Sequence, residues 1–401
     1  MRTEIEQRLL DIIRSVVTDK DRLIAPVYDD FGPCDNTSYG VAAKKIEGME
    51  PVFALAKKHQ LQHLVAYYMY ASGDLRLAKR FYSSVSFTLH QARSADEISE
   101  ALSEARIKHV PLKGTVLRKL YSEEWMRNSC DIDVLVSEGD LENAGKVLEA
   151  LGYVKQDGLS AHDVTYERGR IHVELHYLLL EEYRLEGVGC VLSEVWQHCT
   201  FDGGYTGVMS DEFFYFYHIA HMAKHFELGG CGVRTVLDTW ILNHRCGFDA
   251  LRRRALLLKG GLDKFEAGVN NLAESWFGEG KVAVIDGLEE FVLSGGAYGT
   301  VKNSVEVSRG MRGGRISYII HRLFAPYSQL KRYYPFLDGK PYLLPVFEVK
   351  RWLDALSRDK KKYFYEMRES IKKEGQNTKT NNMLTDLGLN KIGETENEND
   401  N

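Results

Sequence analysis

Paired cysteines are absent from this chain. Its six, Cys34, Cys130, Cys190, Cys199, Cys231 and Cys246, are scattered, and no two form a C-x-x-C. That excludes a disulfide framework and a zinc ribbon, both of which need paired, tighter spacing. Long apolar runs are missing as well: none approaches the ~18–20 residues of a membrane helix. The opening residues, Met1 to Arg8, are charged and carry no apolar h-region, which argues against a secretory signal. The expected address is cytoplasmic, with no membrane partner. Charge of one sign is also scarce. The net charge is −5, and from Gln376 to Asn401 two lysines face five acids, so the tail supplies −3 of it. A near-neutral body offers no global electrostatic case for nucleic acid. No repeat of fixed period occurs.

What is present is the balance of an ordinary globular protein, with 44% apolar and 27% charged residues in a chain of 401, long enough for two or three domains. Residues 1–95 read as a helical region. Phe53 to Tyr70 places apolar residues three and four apart, a second helical pattern runs from Leu75 toward Ala105, and Pro26, Gly32-Pro33 and Gly40 punctuate the earlier part. From 96 to 205 the periodicity changes. Ile107 to Leu112 is short and half apolar, and a helical segment follows to Tyr121. Asp131 to Val136 alternates and is rich in β-branched residues, which predicts a strand. Asp140 to Leu151 predicts an amphipathic helix capped at Gly152, and Val164–Arg168 and Ile171–His176 predict strands joined at Gly169. Helix returns over 206–375, with a break at Ser294-Gly-Gly-Ala-Tyr-Gly299, and the polar, Asn-rich stretch 376–401 reads as a disordered acidic tail. The fold class expected is α+β: a small mixed sheet flanked by N-terminal and C-terminal helical regions.

The chemistry concentrates in Asp131-Ile-Asp133. Strand side chains alternate faces, so the two carboxylates share one face. Their repulsion costs several kcal/mol unless a cation intervenes, and Mg²⁺ (or Mn²⁺), a hard ion bound by one or two carboxylates plus substrate phosphates, is the natural occupant. Glu174, on a neighbouring strand, is placed to complete the set. Upstream, Lys113-Gly114-Thr115 lies between strand and helix. Glycine there permits close approach to a phosphate, the helix N-terminus offers free N–H groups, and Thr115 and Lys113 add a hydroxyl and a charge. A plain strand-to-helix turn explains the same residues without a ligand.

Together these segments resemble the polymerase-β-like nucleotidyltransferase superfamily and, more narrowly, the bacterial uncharacterised nucleotidyltransferase family. The resemblance rests on Pro111-Leu-Lys113-Gly114, Arg127-x-x-x-Asp131-Ile-Asp133-Val-Leu-Val136 and the helix ending Leu151-Gly152-Tyr153. Val173-Glu174-Leu-His176, His221-x-x-x-His225 and Gly232-Val-Arg234-x-x-x-Asp238 complete it, over roughly residues 50–350. It implies that Asp131 and Asp133 hold metal ions and that Glu174 is the third carboxylate, ligating metal or activating the incoming hydroxyl. It further implies that Gly114 and Thr115 sit against a triphosphate and that Lys113 and Arg127 neutralise phosphate charge. The implied reaction is attack of an acceptor oxygen on the α-phosphorus of an NTP such as ATP, with pyrophosphate leaving. The acceptor class stays open among a small molecule or sugar, a peptide or protein side chain, and an RNA end. Thr115 stands where the wider superfamily has Ser, and 15 residues separate it from Asp131.

His176, His225, Arg234 and Asp238 are expected on the acceptor side of the cleft. The structural alternative is buried histidines between helices and an Arg234–Asp238 ion pair within one helix. A zinc site built from His172, Glu174 and His176, or from His221 and His225, has compatible spacing but lacks the Glu of H-E-x-x-H. The basic loop Arg309 to Arg315 and the helix from Lys350 to Lys373, with nine Lys/Arg against four acids, read as solvated surfaces. A non-catalytic module that binds nucleotide or a partner through the same cleft is the alternative to an enzyme.

Overall fold

In the computed structural model the described residues are 2–18, 46–156, 160, 162–180, 186–311, 318, 320, 324–325, 327, 330–331, 334–358 and 377–389. The turn residues Pro26, Gly32, Pro33 and Gly40, the loop from Arg312 to Arg315 and the basic stretch 359–373 lie outside them. The chain is α+β. Two compact units form, one from Met1–Met222 with Gly232–Val284, the other from Ala223–Cys231 with Ile285–Asn401. No helix of the described residues is long and apolar enough to cross a membrane.

The first unit opens with helices α1 (Glu4–Thr18), α2 (Met49–Lys58), α3 (Gln62–Ala71) and α4 (Ala78–Glu104). Its sheet then runs β1 (His109–Pro111), β2 (Ile132–Val136), β3 (Val154–Lys155), β4 (Asp163–Arg168) and β5 (Ile171–His176), in the order β1-β2-β5-β4-β3. Only the central pair β2·β5 is parallel; the other neighbours are antiparallel. Between the strands lie α5 (Lys113–Leu117) and α6 (Leu141–Ala150). Gly152, at φ +84°, ends α6 in the left-handed conformation that glycine adopts without steric cost. Gly169, at φ +61°, turns β4 into β5.

Alternation sorts the two central strands. Ile132, Val134 and Val136, with Ile171, Val173 and Leu175, face Ile98 and Leu102 of α4 and Ala144 and Leu148 of α6 in one core. Each fully buried aliphatic side chain there stabilises by roughly 1.5–3 kcal/mol. The opposite parity, Asp133 on β2 and His172, Glu174 and His176 on β5, therefore projects from the other face. The unit continues through α7 (Glu186–Leu192), the short pair β6 (Cys199–Thr200) and β7 (Val208–Met209), α8 (Asp211–Glu227), α9 (Val233–Arg245), α10 (Ala250–Gly260) and α11 (Asp263–Phe277). The last residues of α8 cluster with the second unit.

The second unit holds α12 (Leu288–Gly295), α13 (Val301–Met311), α14 (Leu344–Arg358) and α15 (Asn377–Asp386). The last of these is helix where disorder was expected; residues 390–401 of the expected tail lie outside the described residues. Met383, Leu384, Leu387 and Leu389 are buried, and Gly310 of α13 gives room to Asn381 and Leu384. Burial of Met383 and Leu384 on the helix, and of Leu387 and Leu389 just after it, outweighs the polar composition around them.

His63 and His218 are buried neutral in the first unit. His63 donates from Nε2 to the Met126 carbonyl at 2.8 Å, and His218 pairs through Nε2 with Thr239 Oγ1 at 3.0 Å. Burial pulls both down to about 4 from an ordinary 6.5. Because the folded value lies below the unfolded one, their stabilisation is complete above pH 6.5. It is lost as pH falls toward 4, where both states are protonated. Each histidine should cost on the order of 3 kcal/mol over that window. Denaturant titrations at pH 7 and pH 4.5 should show the loss, and a shallower one in His63→Gln. Equal stability at the two pH values would contradict neutral burial.

Candidate active site

The parallel register of β2 and β5 sets Asp133 opposite Glu174. Asp133 is 1% exposed and Glu174 30%. Three groups close around them. His176, fully buried, places Nε2 2.9 Å from Asp133 Oδ1 and 3.3 Å from Glu174 Oε2. Lys113 places Nζ 2.8 Å from the same Asp133 oxygen and 3.7 Å from Glu174 Oε2. Tyr217 of α8 lies near enough for the charges of Lys113, Asp133, Glu174 and Asp131 to act on its hydroxyl.

The electrostatics follow from crowding. Burial works against the Asp133 carboxylate, but Lys113 and His176 hold it well below the usual carboxylate range. Burial likewise opposes charge on His176, and its contacts with Asp133 and Glu174 reverse that and raise its pKa. Lys113 stays protonated for the same reason: burial is offset by the charges of Asp133 and Glu174 and by its contact with Asp133. Asp131 is different. It stands just before β2, accepts from Ser129 Oγ at 3.0 Å, and is pushed up to about 6 by burial and by the Asp133 and Glu174 charges.

Several buried polar atoms at this place have no hydrogen-bond partner among the described residues: Asp133 Oδ2, Thr115 Oγ1, His176 Nδ1 and Tyr217 OH. A buried polar atom without a partner costs about 1–3 kcal/mol, and Asp133 Oδ2, on the carboxylate that faces Glu174, is the one such atom that a cation there would satisfy directly. Ligand atoms of Asp133, Glu174 and His176 lie within 4.8 Å of one another. The donor set fits a divalent cation: two hard carboxylates with one buried oxygen spare, oriented by a histidine that donates to the other.

Lys113 also departs from ordinary backbone. It links β1 to α5 at φ +41°, a left-handed conformation that costs a residue with a Cβ about 1–2 kcal/mol. Leu112 N donates to the Asp133 carbonyl at 3.0 Å, which fixes this corner against β2. The helix expected to reach Tyr121 is a five-residue α5 followed by the 3₁₀ turn Arg118–Leu120. So short a helix carries little dipole. Gly114 is needed for packing: a Cβ would stand 2.5 Å from Ser129 Oγ and 2.8 Å from Ser129 Cβ. Gly114→Ala should therefore destabilise by about 1–3 kcal/mol and disturb Asp131 through Ser129. A melting temperature equal to the parent's would contradict this packing role.

Arg127 and Asp238 are together, but in the interior. Arg127 is 6% exposed, and its Nε donates to Asp238 Oδ1 at 2.7 Å. Tyr121 OH donates to the same oxygen at 2.7 Å, and Arg127 also bonds the Asn128 carbonyl. These contacts hold the Arg127 guanidinium and the Asp238 carboxylate to each other, with Tyr121 as a second donor to the carboxylate. Arg234 reaches the Asn128 carbonyl at 3.5 Å. His225 falls in the second unit, where its carbonyl accepts from Gly230 N at 3.1 Å.

His172 turns to Glu167, with Nδ1 2.9 Å from Oε1. Among the described residues, triads with ligand atoms within 4.8 Å of one another are Asp133–Glu174–His176 and His162–Asp163–His176. Neither contains His172, His221 or His225. Two features escaped the sequence. Tyr217 sits in a run of Phe and Tyr that reads as core, and no spacing signalled it. Lys113 was legible as a charge but not as a partner of the carboxylates.

Residues 47–278, more than half of the chain and including every residue of this cluster, match the family described as uncharacterised nucleotidyltransferase. No curated protein and no solved structure matches the chain.

Proposed function

The chain belongs to the uncharacterised nucleotidyltransferase family, and on that premise we propose that it transfers a nucleoside monophosphate from an NTP to a hydroxyl-bearing acceptor, releasing pyrophosphate, at Asp131, Asp133 and Glu174. The observation that carries the reading is the pairing of Asp133 with Glu174 across parallel strands, with a buried Asp133 oxygen left over. Mg²⁺ or Mn²⁺ held by Asp133 with Asp131 and Glu174 would neutralise the triphosphate and stabilise charge on the attacking and leaving oxygens.

The protein's own groups do the rest. His176 donates to Asp133 and keeps its carboxylate oriented. Glu174, the more exposed of the facing pair, takes the proton of the incoming hydroxyl. Lys113 and Thr115 meet the phosphates, and Tyr217 supplies a buried hydroxyl to the same space. As the new bond to the α-phosphorus forms, the bond to pyrophosphate breaks. A near-neutral body favours a small-molecule, sugar or protein acceptor over long RNA.

One observation favours a second reading. Lys113 and His176 already compensate Asp133, as they would in a binding module that performs no chemistry. Incubation with each α-labelled NTP, Mg²⁺ and a cell-extract acceptor pool separates the two. The transferase reading expects label on an acceptor and pyrophosphate in equal amount. Bound but unreacted NTP across all four bases would support the binding module instead.

A further inference from the structure

We infer that the Lys113 ammonium is the resident counter-ion of the carboxylate pair, displaced when a divalent cation enters and then turned onto the phosphates of the nucleotide; this rests on the metal-dependent reading above. The ammonium lies 2.8 Å from Asp133 Oδ1 and 3.7 Å from Glu174 Oε2, between the two groups a cation would bridge. A dication at coordination distance from those oxygens would repel it strongly, so the two charges compete for one place.

The surroundings suit an exchange. Asp133 Oδ2 is buried and without a partner among the described residues, so Lys113 satisfies only half of the carboxylate. His176 stays on Oδ1 and preserves the orientation of Asp133 when the ammonium leaves. Lys113 itself is 21% exposed on a four-carbon stem, which lets Nζ swing while the backbone stays fixed. That backbone is held at φ +41° between β1 and α5, a conformation kept only where its surroundings over-determine it. Two residues on, Thr115 Oγ1 is buried and without a partner among the described residues.

The exchange predicts coupling. Metal alone must evict a charge, whereas metal with nucleotide gives that charge a new partner, so each ligand tightens the other. The test is Mn²⁺ titration followed by the electron paramagnetic resonance of the free ion, with and without a non-hydrolysable NTP analogue. Parent protein should bind Mn²⁺ alone weakly and about tenfold or more tighter with the analogue. Lys113→Met should bind Mn²⁺ alone about tenfold tighter than the parent and lose the coupling. Lys113→Arg, which keeps the charge, should bind Mn²⁺ alone no tighter than the parent. Equal or weaker Mn²⁺ affinity in Lys113→Met overturns the exchange while leaving the metal site intact. If that variant does not fold, absence of coupling in the parent, or tighter binding in Lys113→Arg, overturns it. Failure of every protein to bind Mn²⁺, even with the analogue, removes the underlying metal reading as well.

Discussion

Asp238→Ala should cost the first unit about 3–5 kcal/mol of stability, because it leaves the Arg127 guanidinium buried without a counter-charge. The carboxylate accepts from Arg127 Nε and from Tyr121 OH, both at 2.7 Å, and is 2% exposed. Burial of the pair is itself expensive, so the loss measures a broken partnership rather than the net worth of the ion pair. The double variant Arg127→Met/Asp238→Leu should recover much of it, since two apolar side chains leave no stranded charge. Denaturant unfolding of the parent, both single variants and the double gives the coupling directly. Strict additivity would contradict the pairing. Nucleotide binding by the refolded double variant would further separate this pair from the phosphate role that sequence order suggested for Arg127.

The second large effect is chemical. Asp133→Asn should lower nucleotidyl transfer by roughly 10²–10³-fold, the range seen when a group that stabilises transition-state charge is removed. It should also lower stability, since Lys113 and His176 lose the carboxylate that keeps them charged in the interior. Glu174→Gln separates the two consequences. Glu174 is 30% exposed, so its loss should remove the rate with little change in melting temperature. Turnover in Asp133→Asn within tenfold of the parent would sink the assignment.

The contrast between these residues shows what a linear reading can reach. Asp133 and Glu174 were legible because a two-residue period fixes which face a strand side chain takes. Gly152 and Gly169 were legible because left-handed turns select glycine. Asp131 was expected within the strand and stands just before it, since a period of two gives no boundary. Arg127 and Asp238 are 111 positions apart, and local spacing carries no information about such a partnership. β3, β6 and β7 are two residues each, too short for any periodicity to register. Helix α15 was hidden by its polar composition, although four buried apolar side chains secure it and the turn after it. The chain's return at Gly232–Val284 to the unit it had left also leaves no mark in composition.

Thermal stability with each NTP, with and without Mg²⁺, in the parent and in Asp133→Asn, tests the carboxylate site most directly. A ligand at ~100 times its Kd adds about 2.7 kcal/mol, a readily visible shift. The proposed site predicts a shift that requires Mg²⁺ in the parent and vanishes in Asp133→Asn. A nucleotide shift of equal size without metal, or one that survives in Asp133→Asn, would contradict it.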